Sequence, residues 1–534
     1  MKKFTFIFSV FFIFFNVFSQ QKEKSFEGIE LPEFIIVGIE KVEIPKAIHG
    51  KADLLPILSS DFIQPTFSEE DLPTFNFAMR DEYAKINLAK KVNALKASAE
   101  IGAGNVTLPY GKAIFAHNPE NFFFRMGLFG QNQREYKKKA GINSSGIDLN
   151  ASYFSKNESK FLPSSKYDFG ISYSQNSFNL FAKDSIEARK LTFGDGRLSY
   201  ENNYFNNFKG GFIIQSSSTF YKQLDYLESV VSFSANLNYI SNIANFYLSA
   251  EQKKLSYDNN LTSESEYNYT FLSSGFETYV AKNLRLGAGL SISNIDYDDY
   301  FAPYGQLSFK INENFSLYGE FSPTAVLLTQ RDLFSKNRYA ELDSSYDNFL
   351  FKKNGKIKSA LKYEERKNFS VTLGASFFTS KKYPFYRFDS TNVGFKFSFM
   401  QARCVELFLS ALYQSDYLGY FSADLFIRSF RDKKSYFIPN ESAVSIEASY
   451  NYKFPFGLSF LIGARYDSQK YFGEKETYQS PPFFNIYAHL NYQLYSNLHL
   501  FIKGYNLLNQ KNYYVYKYLD SPIDIIVGVN YKWE

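Results

Sequence analysis

The chain repeatedly alternates apolar and polar residues over segments of about ten positions. Its last segment shows the pattern most clearly, with apolar side chains at Ile525, Val527, Val529, Tyr531 and Trp533. The intervening residues are polar or small, except Ile526. Because successive side chains on a strand point to opposite faces, this is a strand with one apolar and one polar face. A soluble edge strand and the last strand of a membrane barrel both have this pattern.

Similar alternating segments begin at Leu95, Leu284, Val444, Leu458 and Phe484. Such segments, separated by turns, are typical of a membrane β-barrel. Soluble β-sandwiches also alternate. Three features favour the barrel: polar faces of Gly, Ser, Asn and charges, turns that are alternately short and long, and an aromatic content of 19%. We therefore predict an all-β, transmembrane antiparallel barrel.

Short polar turns followed by an apolar strand start predict the number of strands. Eleven such starts are VNALKAS, PENFFFR, SSKYDFG, NNFKGGF, SNIANFY, KNLRLGA, ENFSLYG, KNFSVTL, RCVELFL, FGLSFLI and SNLHLFI. Each start marks one pair of strands, so the barrel has about 22 strands, an even number as in bacterial barrels. The longer connections, expected outside the cell, are YKKKAGINSSG, KQLDYLES, YDNNLTSESE, the region 324–353 and RDKKSYFIPNES.

The first residues predict export. Lys2 and Lys3 precede an apolar run that ends before small Ser19, as in a secretory signal peptide over 1–19. Residues 20–93 are interrupted by prolines and predict a periplasmic extension, with a short helix over 81–96. The barrel follows over 94–534. No later apolar run is long enough for a spanning helix, and Cys404, as the single cysteine, forms no intrachain disulfide.

The net charge of +5, about +3 without Lys2 and Lys3, gives no indication of a nucleic-acid partner. These features together predict a protein in the outer membrane of a diderm bacterium, in contact with its lipid.

The last strand resembles the C-terminal signal by which the barrel assembly machinery recognises outer-membrane barrels. Gly528 is followed three and five residues later by the aromatic residues Tyr531 and Trp533. Glu534 departs from the pattern, because the signal usually ends on its aromatic residue. The resemblance implies that this strand is read by strand addition.

Three stretches resemble TonB-dependent receptors. The first is Asn506-Leu507-Leu508-Asn509, followed by Tyr513, near the last strands. The second is LYGEFSPTAVLLTQRDLF over 317–334, a mid-barrel strand that ends in Ser-Pro before a large outer loop, although the family's usual continuation after Ser-Pro is missing. The third is LPEFIIVGIEK over 31–41, which is similar to a Ton box. The residues that would contact a TonB-type transducer by strand addition are Glu33, Phe34, Ile35, Ile36 and Val37.

The resemblance implies binding and uptake of an unknown external solute. One departure matters: about 55 residues separate Gly38 from the first strand, too few for the family's globular plug. An unplugged lumen of this size would leak, so the extension and loops fold inward or a partner fills the lumen. The alternative function is a passive or accessory barrel that partners another envelope complex through 20–93. An outer-membrane hydrolase is a third hypothesis.

Sequence motifs for catalysis or metal binding are absent: we find no HExxH, GxSxG or P-loop. His489 and His499 flank one predicted turn and could approach each other. The Gly194-Asp195-Gly196 triplet and Asp298-Asp299 suit a loop turn or, loosely, calcium. We therefore predict no enzyme activity, cofactor or metal. Charges expected on the lumen side, either solvating it or lining a solute path, are Arg285, Glu447, Lys453, Arg465 and Asp467.

Overall fold

The computed structural model describes residues 97–119, 121–155, 163–183, 188–205, 207–241, 243–259, 262–296, 298–341, 350–365, 368–389, 394–415 and 418–533. The predicted signal peptide, the predicted extension and helix, and the predicted Ton box, Glu33–Val37, lie outside these residues. Within them, no helix is long and apolar enough to cross a membrane.

The fold is a closed antiparallel β-barrel of 22 strands, as predicted. Its strands, with two short additions to the wall, are β1 (Ala97–Gly104), β2 (Thr107–His117), β3 (Phe122–Gln133), β4 (Ile142–Phe154), β5 (Ser165–Asn179), β6 (Ala188–Phe205), β7 (Phe208–Tyr221), β8 (Tyr226–Ile240), β9 (Ala244–Asn259), β10 (Thr262–Ala281), β11 (Leu284–Ile295), β12 (Asp298–Lys310), β13 (Phe315–Phe321), β14 (Thr324–Leu327), β15 (Leu350–Glu365), β16 (Phe369–Asp389), β17 (Gly394–Ser415), β18 (Gly419–Asp432), β19 (Val444–Lys453), β20 (Leu458–Asp467), β21 (Phe483–Gln493), β22 (Leu498–Tyr505), β23 (Tyr513–Val515), β24 (Tyr518–Leu519) and β25 (Asp524–Trp533).

Each strand of the wall pairs with its neighbour in the chain, and β25 pairs with β1 to close the ring, from Ala97 opposite Trp533 to Gly104 opposite Ile526. Two elements stand outside the simple order. β14 continues β13 after Ser322-Pro323 and pairs with the outer part of β15, and β23 and β24 form a small hairpin in the connection before β25. Within the described residues, the helical elements are α1 (Gln330–Lys336) and the 3-10 turns Lys222–Leu224 and Glu474–Glu476.

The wall follows the predicted alternation. Ile101 is 64% exposed on the outside of β1, whereas its neighbour Glu100 faces inward and pairs with Lys503. On β25 the apolar residues Val527 and Trp533 are 55% and 45% exposed toward lipid. A continuous belt of exposed apolar side chains around the outside of a barrel is stable only in contact with lipid. The chain is therefore an outer-membrane β-barrel protein.

One of the eleven predicted strand starts is wrong. RCVELFL lies in the middle of β17, where Arg403 and Leu409 pair with both β16 and β18. The true turn joins β17 to β18 at Gly419, whose φ of +76° and close approach to Asn451 exclude a side chain. The predicted number of 22 strands is still correct, because the false start at RCVELFL compensates for the missed turn between β17 and β18. Two predicted loops also extend into strands: the second half of KQLDYLES belongs to β8, and YDNNLTSESE belongs largely to β9 and β10.

Candidate functional site

The connections at the long-loop end of the barrel fold inward over its mouth. We call residues 328–341, including α1, the strap, and the strap together with 433–443, 468–482 and 506–523 the outer cap. The short turns lie at the opposite end, on the periplasmic side, so the outer cap faces the outside of the cell.

An aromatic core joins the outer cap to two nearly opposite walls. Leu191 and Phe193 come from β6, Phe395 comes from β17, and in a ring of 22 strands these two strands lie almost across from each other. Strap residues lie between them: Leu333, Phe334 and Tyr339 are each at most 4% exposed. Tyr339 stacks on Tyr518 with ring centroids 4.0 Å apart. A continuous core from wall to wall means that the outer mouth is spanned by protein.

The strap begins with a helix whose ends are well satisfied. Thr329 is the N-cap of α1 and forms a capping box with Asp332. The carboxylate of Glu228 on β8 accepts hydrogen bonds from the backbone N–H groups of Gln330 at 2.8 Å and Arg331 at 3.2 Å. Glu228 is only 1% exposed. A buried carboxyl group at the first turn therefore binds the helix to the barrel wall through two hydrogen bonds.

A second contact between the strap and the barrel wall is made by the side chain of Arg331. The guanidinium of Arg331 donates from Nη1 and Nη2 to the two carboxylate oxygens of Asp195 on β6, each at 2.7 Å. The side chains are 15% and 12% exposed. This bidentate pair fixes the orientation of the strap as well as its position.

The Gly194-Asp195-Gly196 triplet therefore has a different place from the one expected. It lies in the middle of β6 rather than in a loop turn, and Asp195 holds Arg331 of the strap. Asp298 and Asp299 likewise begin β12, where Asp298 pairs with Lys352. A sequence triplet of this kind signals a turn only when its neighbours are not strand-forming, and here Thr192, Phe193 and Leu198 are.

The end of the strap is fixed to both sides of the mouth. Glu341 accepts from Lys183 Nζ at 2.6 Å, and the carbonyl of Ala340 accepts from Arg189 Nη1 at 2.7 Å. Across the mouth, the Tyr514 hydroxyl donates to the carbonyl of Lys336 at 3.2 Å. Burial raises the pKa of Tyr339 to about 12, so its hydroxyl stays protonated.

Asn506 and Asn509, expected from the family resemblance, organise the connection before β25. Both adopt left-handed backbone angles, with φ of +48° and +51°. The side chain of Asn506 is buried and donates to the carbonyls of Gln510 and Ser521, each at 2.9 Å. Asn509 accepts from the backbone N–H of Ile523 at 3.1 Å. The motif therefore forms a turn, stabilised by side-chain hydrogen bonds, that leads the chain back to β25.

The predicted assembly signal lies on β25. Tyr531 and Trp533 face lipid with ring centroids 4.5 Å apart. Gly528 faces inward, where a Cβ would lie 2.2 Å from the carbonyl oxygen of Ile101 and 2.3 Å from the ring of Phe501. Gly528 is thus required for the closing seam, and recognition of this strand by the assembly machinery stays a prediction.

The predicted lumen charges are largely paired along the wall. Arg465 donates to Asp467 at 2.9 Å, and Arg285 pairs with Glu277. Glu447 lies opposite Arg465 in the β19–β20 register, and Lys453 ends β19. This pairing fits solvation and stiffening of the lumen wall better than a row of vacant binding charges.

The two histidines do not come together. His489 lies opposite Lys503 and His499 lies opposite Gln493, so they are roughly 13 Å apart along the hairpin. Among the residues that the structure describes, no group of three or more His, Cys, Asp or Glu side chains could hold a metal ion.

Comparison with known proteins identifies solved structures that share this fold. No sequence-family model and no curated protein matches this chain. Among solved structures, the ferric-catecholate import receptor Fiu from K12 E. coli has a TM-score of 0.64 at 9% identity, over 83% of this chain and 82% of that one. The siderophore receptor PiuA from Acinetobacter baumannii has a TM-score of 0.63 at 11% identity, over 82% and 81%. The copper transporter OprC has a TM-score of 0.62 at 8% identity, over 82% and 80%.

At these identities the likeness is one of fold. The chain has the 22-strand barrel of TonB-dependent outer-membrane receptors, and the resemblance expected from its sequence is confirmed at that level. The neighbours are receptors and transporters rather than enzymes.

Proposed function

We propose that this protein captures an external solute at its outer cap and admits it to the barrel lumen for uptake across the outer membrane. The observation that carries the proposal is the cap itself, which spans the mouth of a receptor-type barrel and is fixed to the wall by ion pairs and hydrogen bonds. Polar contacts of this kind can exchange for contacts with a ligand or with water, so binding of a solute can favour an open state of the cap. The iron, siderophore and copper receptors of similar fold support the same role.

Energised uptake would use Glu33, Phe34, Ile35, Ile36 and Val37 as the strand that pairs with a TonB-type transducer. The alternative of a passive or accessory barrel assigns 20–93 to a different periplasmic partner. Catalysis has less support, since the similar folds belong to receptors and transporters.

A photo-crosslinking amino acid at position 35, in living cells, separates these functions. Capture of an inner-membrane transducer supports energised uptake, and capture of another periplasmic protein supports the accessory barrel. A crosslinker at Lys138, exposed in the β3–β4 connection outside the cell, is the matched control and captures neither.

Deletion of 31–41 gives a second test. We expect energy-dependent uptake to stop while the barrel still inserts, as shown by heat-modifiable gel mobility. Uptake that continues unchanged would contradict the assignment of this segment.

A further inference from the structure

The outer cap contains a cavity of about 80 Å³ between the strap and the ends of β16, β20 and β21. At roughly 10–15 Å³ per water, a space of this size takes about five to eight non-hydrogen atoms. Its lining combines amides, charges and rings from five separate parts of the chain. We therefore consider which small molecule this lining would bind.

Asn337 of the strap supplies a hydrogen-bond donor. Its side chain is 1% exposed, and its Oδ1 accepts from the backbone N–H of Tyr339 at 3.0 Å, which fixes the amide so that Nδ2 points away from that contact. Asn337 lines the cavity, and its buried Nδ2 has no hydrogen-bond partner among the described residues. A buried amide donor without a partner costs free energy unless a bound molecule accepts from it.

Asn440 supplies an acceptor. Its Nδ2 donates to the carbonyl of Tyr386 at 2.7 Å, and this bond likewise fixes the amide orientation. Oδ1 is buried and has no partner in the part of the chain that the structure describes, and the residue lines the same cavity. Asn440 has a φ of +69°, a conformation that asparagine tolerates well. The cavity lining thus includes one amide with an unsatisfied donor and one with an unsatisfied acceptor, and a bond to the backbone fixes the orientation of each.

Charges of both signs stand beside these amides. Lys470 lines the cavity and is held only loosely, its Nζ lying 3.7 Å from Asp467 Oδ2. Glu441, next to Asn440, accepts from the hydroxyl of Tyr383 at 3.0 Å. The Arg465–Asp467 ion pair and the rings of Phe472 and Tyr514 also belong to the lining. Such a site favours a molecule with both an anionic and a cationic group over an ion of a single sign.

We propose that this cavity binds a small α-amino acid, or another zwitterion of the same size. Its carboxylate accepts from Asn337 Nδ2 within reach of Lys470, its ammonium donates to Asn440 Oδ1 beside Glu441, and its aliphatic part lies on the rings. This assignment rests on the proposed function, since it names the class of solute that the outer cap captures.

Equilibrium dialysis of the full mature protein in detergent tests the assignment with labelled L-alanine and L-serine. Acetate and ethylammonium, which carry only one of the two charges, are the half-molecule controls, and L-tryptophan is the oversized control. We expect saturable binding of both small amino acids and at least about tenfold weaker binding of the three controls.

Two variants locate the binding. Asn337→Asp keeps the acceptor that bonds Tyr339 and replaces the donor with an anionic oxygen, so we expect affinity to fall by about tenfold or more. The matched control is Asn179→Asp, the same chemical change at a residue that donates to Lys139 in the same outer end but away from the cavity. If Asn337→Asp does not fold, Lys470→Gln tests the same carboxylate contact.

Three results would overturn the assignment: no binding of either small amino acid, equal binding of a half-molecule, or unchanged affinity in both cavity variants. Crosslinking at position 35 does not depend on the ligand. If it still captures the transducer while the amino acids fail to bind, the inference about the ligand fails and the proposed function stands. If it captures no transducer while the amino acids do bind, energised uptake through Glu33–Val37 is contradicted and the ligand assignment stands.

Discussion

The barrel wall and the outer cap are built from the same residue types by different physical means. On the wall, aromatic and branched side chains face lipid, and stability comes from a closed ladder of hydrogen bonds with no free edge. In the outer cap, the same kinds of side chain face each other: Phe395 and Tyr518 are fully buried there, whereas Leu407, on the same strand as Phe395, is 48% exposed to lipid.

The comparison indicates which part of the molecule can open during function. Opening the wall would expose a row of unpaired backbone groups inside the bilayer, which costs several kcal/mol per group. Opening the outer cap exposes an aromatic core and a few ion pairs to water, a cost that binding of a solute can offset. The four predictions below test this difference, beginning with the wall.

The largest effect is expected at the closing seam. In Gly528→Ala, the new methyl group overlaps the carbonyl oxygen of Ile101, a backbone atom that cannot move without opening the β1–β25 ladder. We expect a large loss of heat-modifiable, folded barrel in outer-membrane fractions. Gly130→Ala is the matched control, because nothing lies within 4 Å of its Cβ. Equal yields of the two variants would contradict the role given to Gly528.

The next effect concerns the core of the outer cap. Phe395→Ala removes a ring that contacts Phe388 and Phe472, with centroids 5.4 and 6.1 Å away. We expect the cap to lose about 3–5 kcal/mol while the barrel stays folded, because large-to-small changes in a core leave a cavity. Loss of near-ultraviolet circular dichroism at unchanged gel mobility measures it.

Leu407→Ala, on the lipid-facing side of the same strand, is the control for Phe395→Ala. It should leave the aromatic signal of the outer cap unchanged. A similar loss in both variants would mean that the cap and the wall do not behave as separate units.

A smaller effect is expected at the strap. Arg331→Ala leaves the largely buried carboxylate of Asp195 without its partner, and we expect the closed cap to lose about 2 kcal/mol. The exchange Asp195→Arg with Arg331→Asp should recover part of the loss. Protease cleavage within the strap reports the change, with exposed Arg134→Ala as the control. Additive losses in the double variant would argue against a direct ion pair.

The smallest expected effect is the contribution of Glu441 to the pH dependence of the stability of the outer cap. Burial raises the pKa of the Glu441 carboxyl above its ordinary 4.5, and Arg428, Tyr383, Lys336 and Lys470 oppose that rise. A raised pKa in the folded state means that the contribution of Glu441 is fully present below pH 4.5 and is lost as the pH rises through the raised value, at about 1.4 kcal/mol per pKa unit.

The thermal midpoint of the outer cap should therefore fall between pH 4.5 and pH 7.5 in the natural protein. The part of this slope that comes from Glu441 should disappear in Glu441→Gln. A slope that is identical in the two proteins would show that Glu441 does not contribute.

The wall was predictable from the sequence, and the outer cap was not. Alternation depends on nearest neighbours, so the faces of Glu100, Ile101 and Val527 followed directly from their positions. The false turn at RCVELFL shows the limit of local signals, since a polar pair inside a long strand looks like a turn.

The contacts of the strap join residues far apart in the chain. Arg331 meets Asp195 across 136 positions, and Gln330 meets Glu228 across 102. No local pattern encodes such pairs. The Ser-Pro sequence at 322–323 did indicate that a strand ends and a large loop begins there. The size of the unplugged lumen made inward-folding loops one of two alternatives, but no sequence signal identified this loop as the one that spans the mouth.

The most direct test of the outer closure is thiol labelling from outside the cell. Ser449→Cys places a thiol on the inward face of β19, below the cap, and Lys433→Cys places one on an exposed outer loop. A maleimide too large for porins is applied to intact cells. We predict slow labelling at position 449, fast labelling at 433, and labelling at 449 that rises by about two orders of magnitude when 328–341 is replaced by a short flexible linker. Equally fast labelling at both positions in the protein with its strap intact would contradict the closed outer mouth.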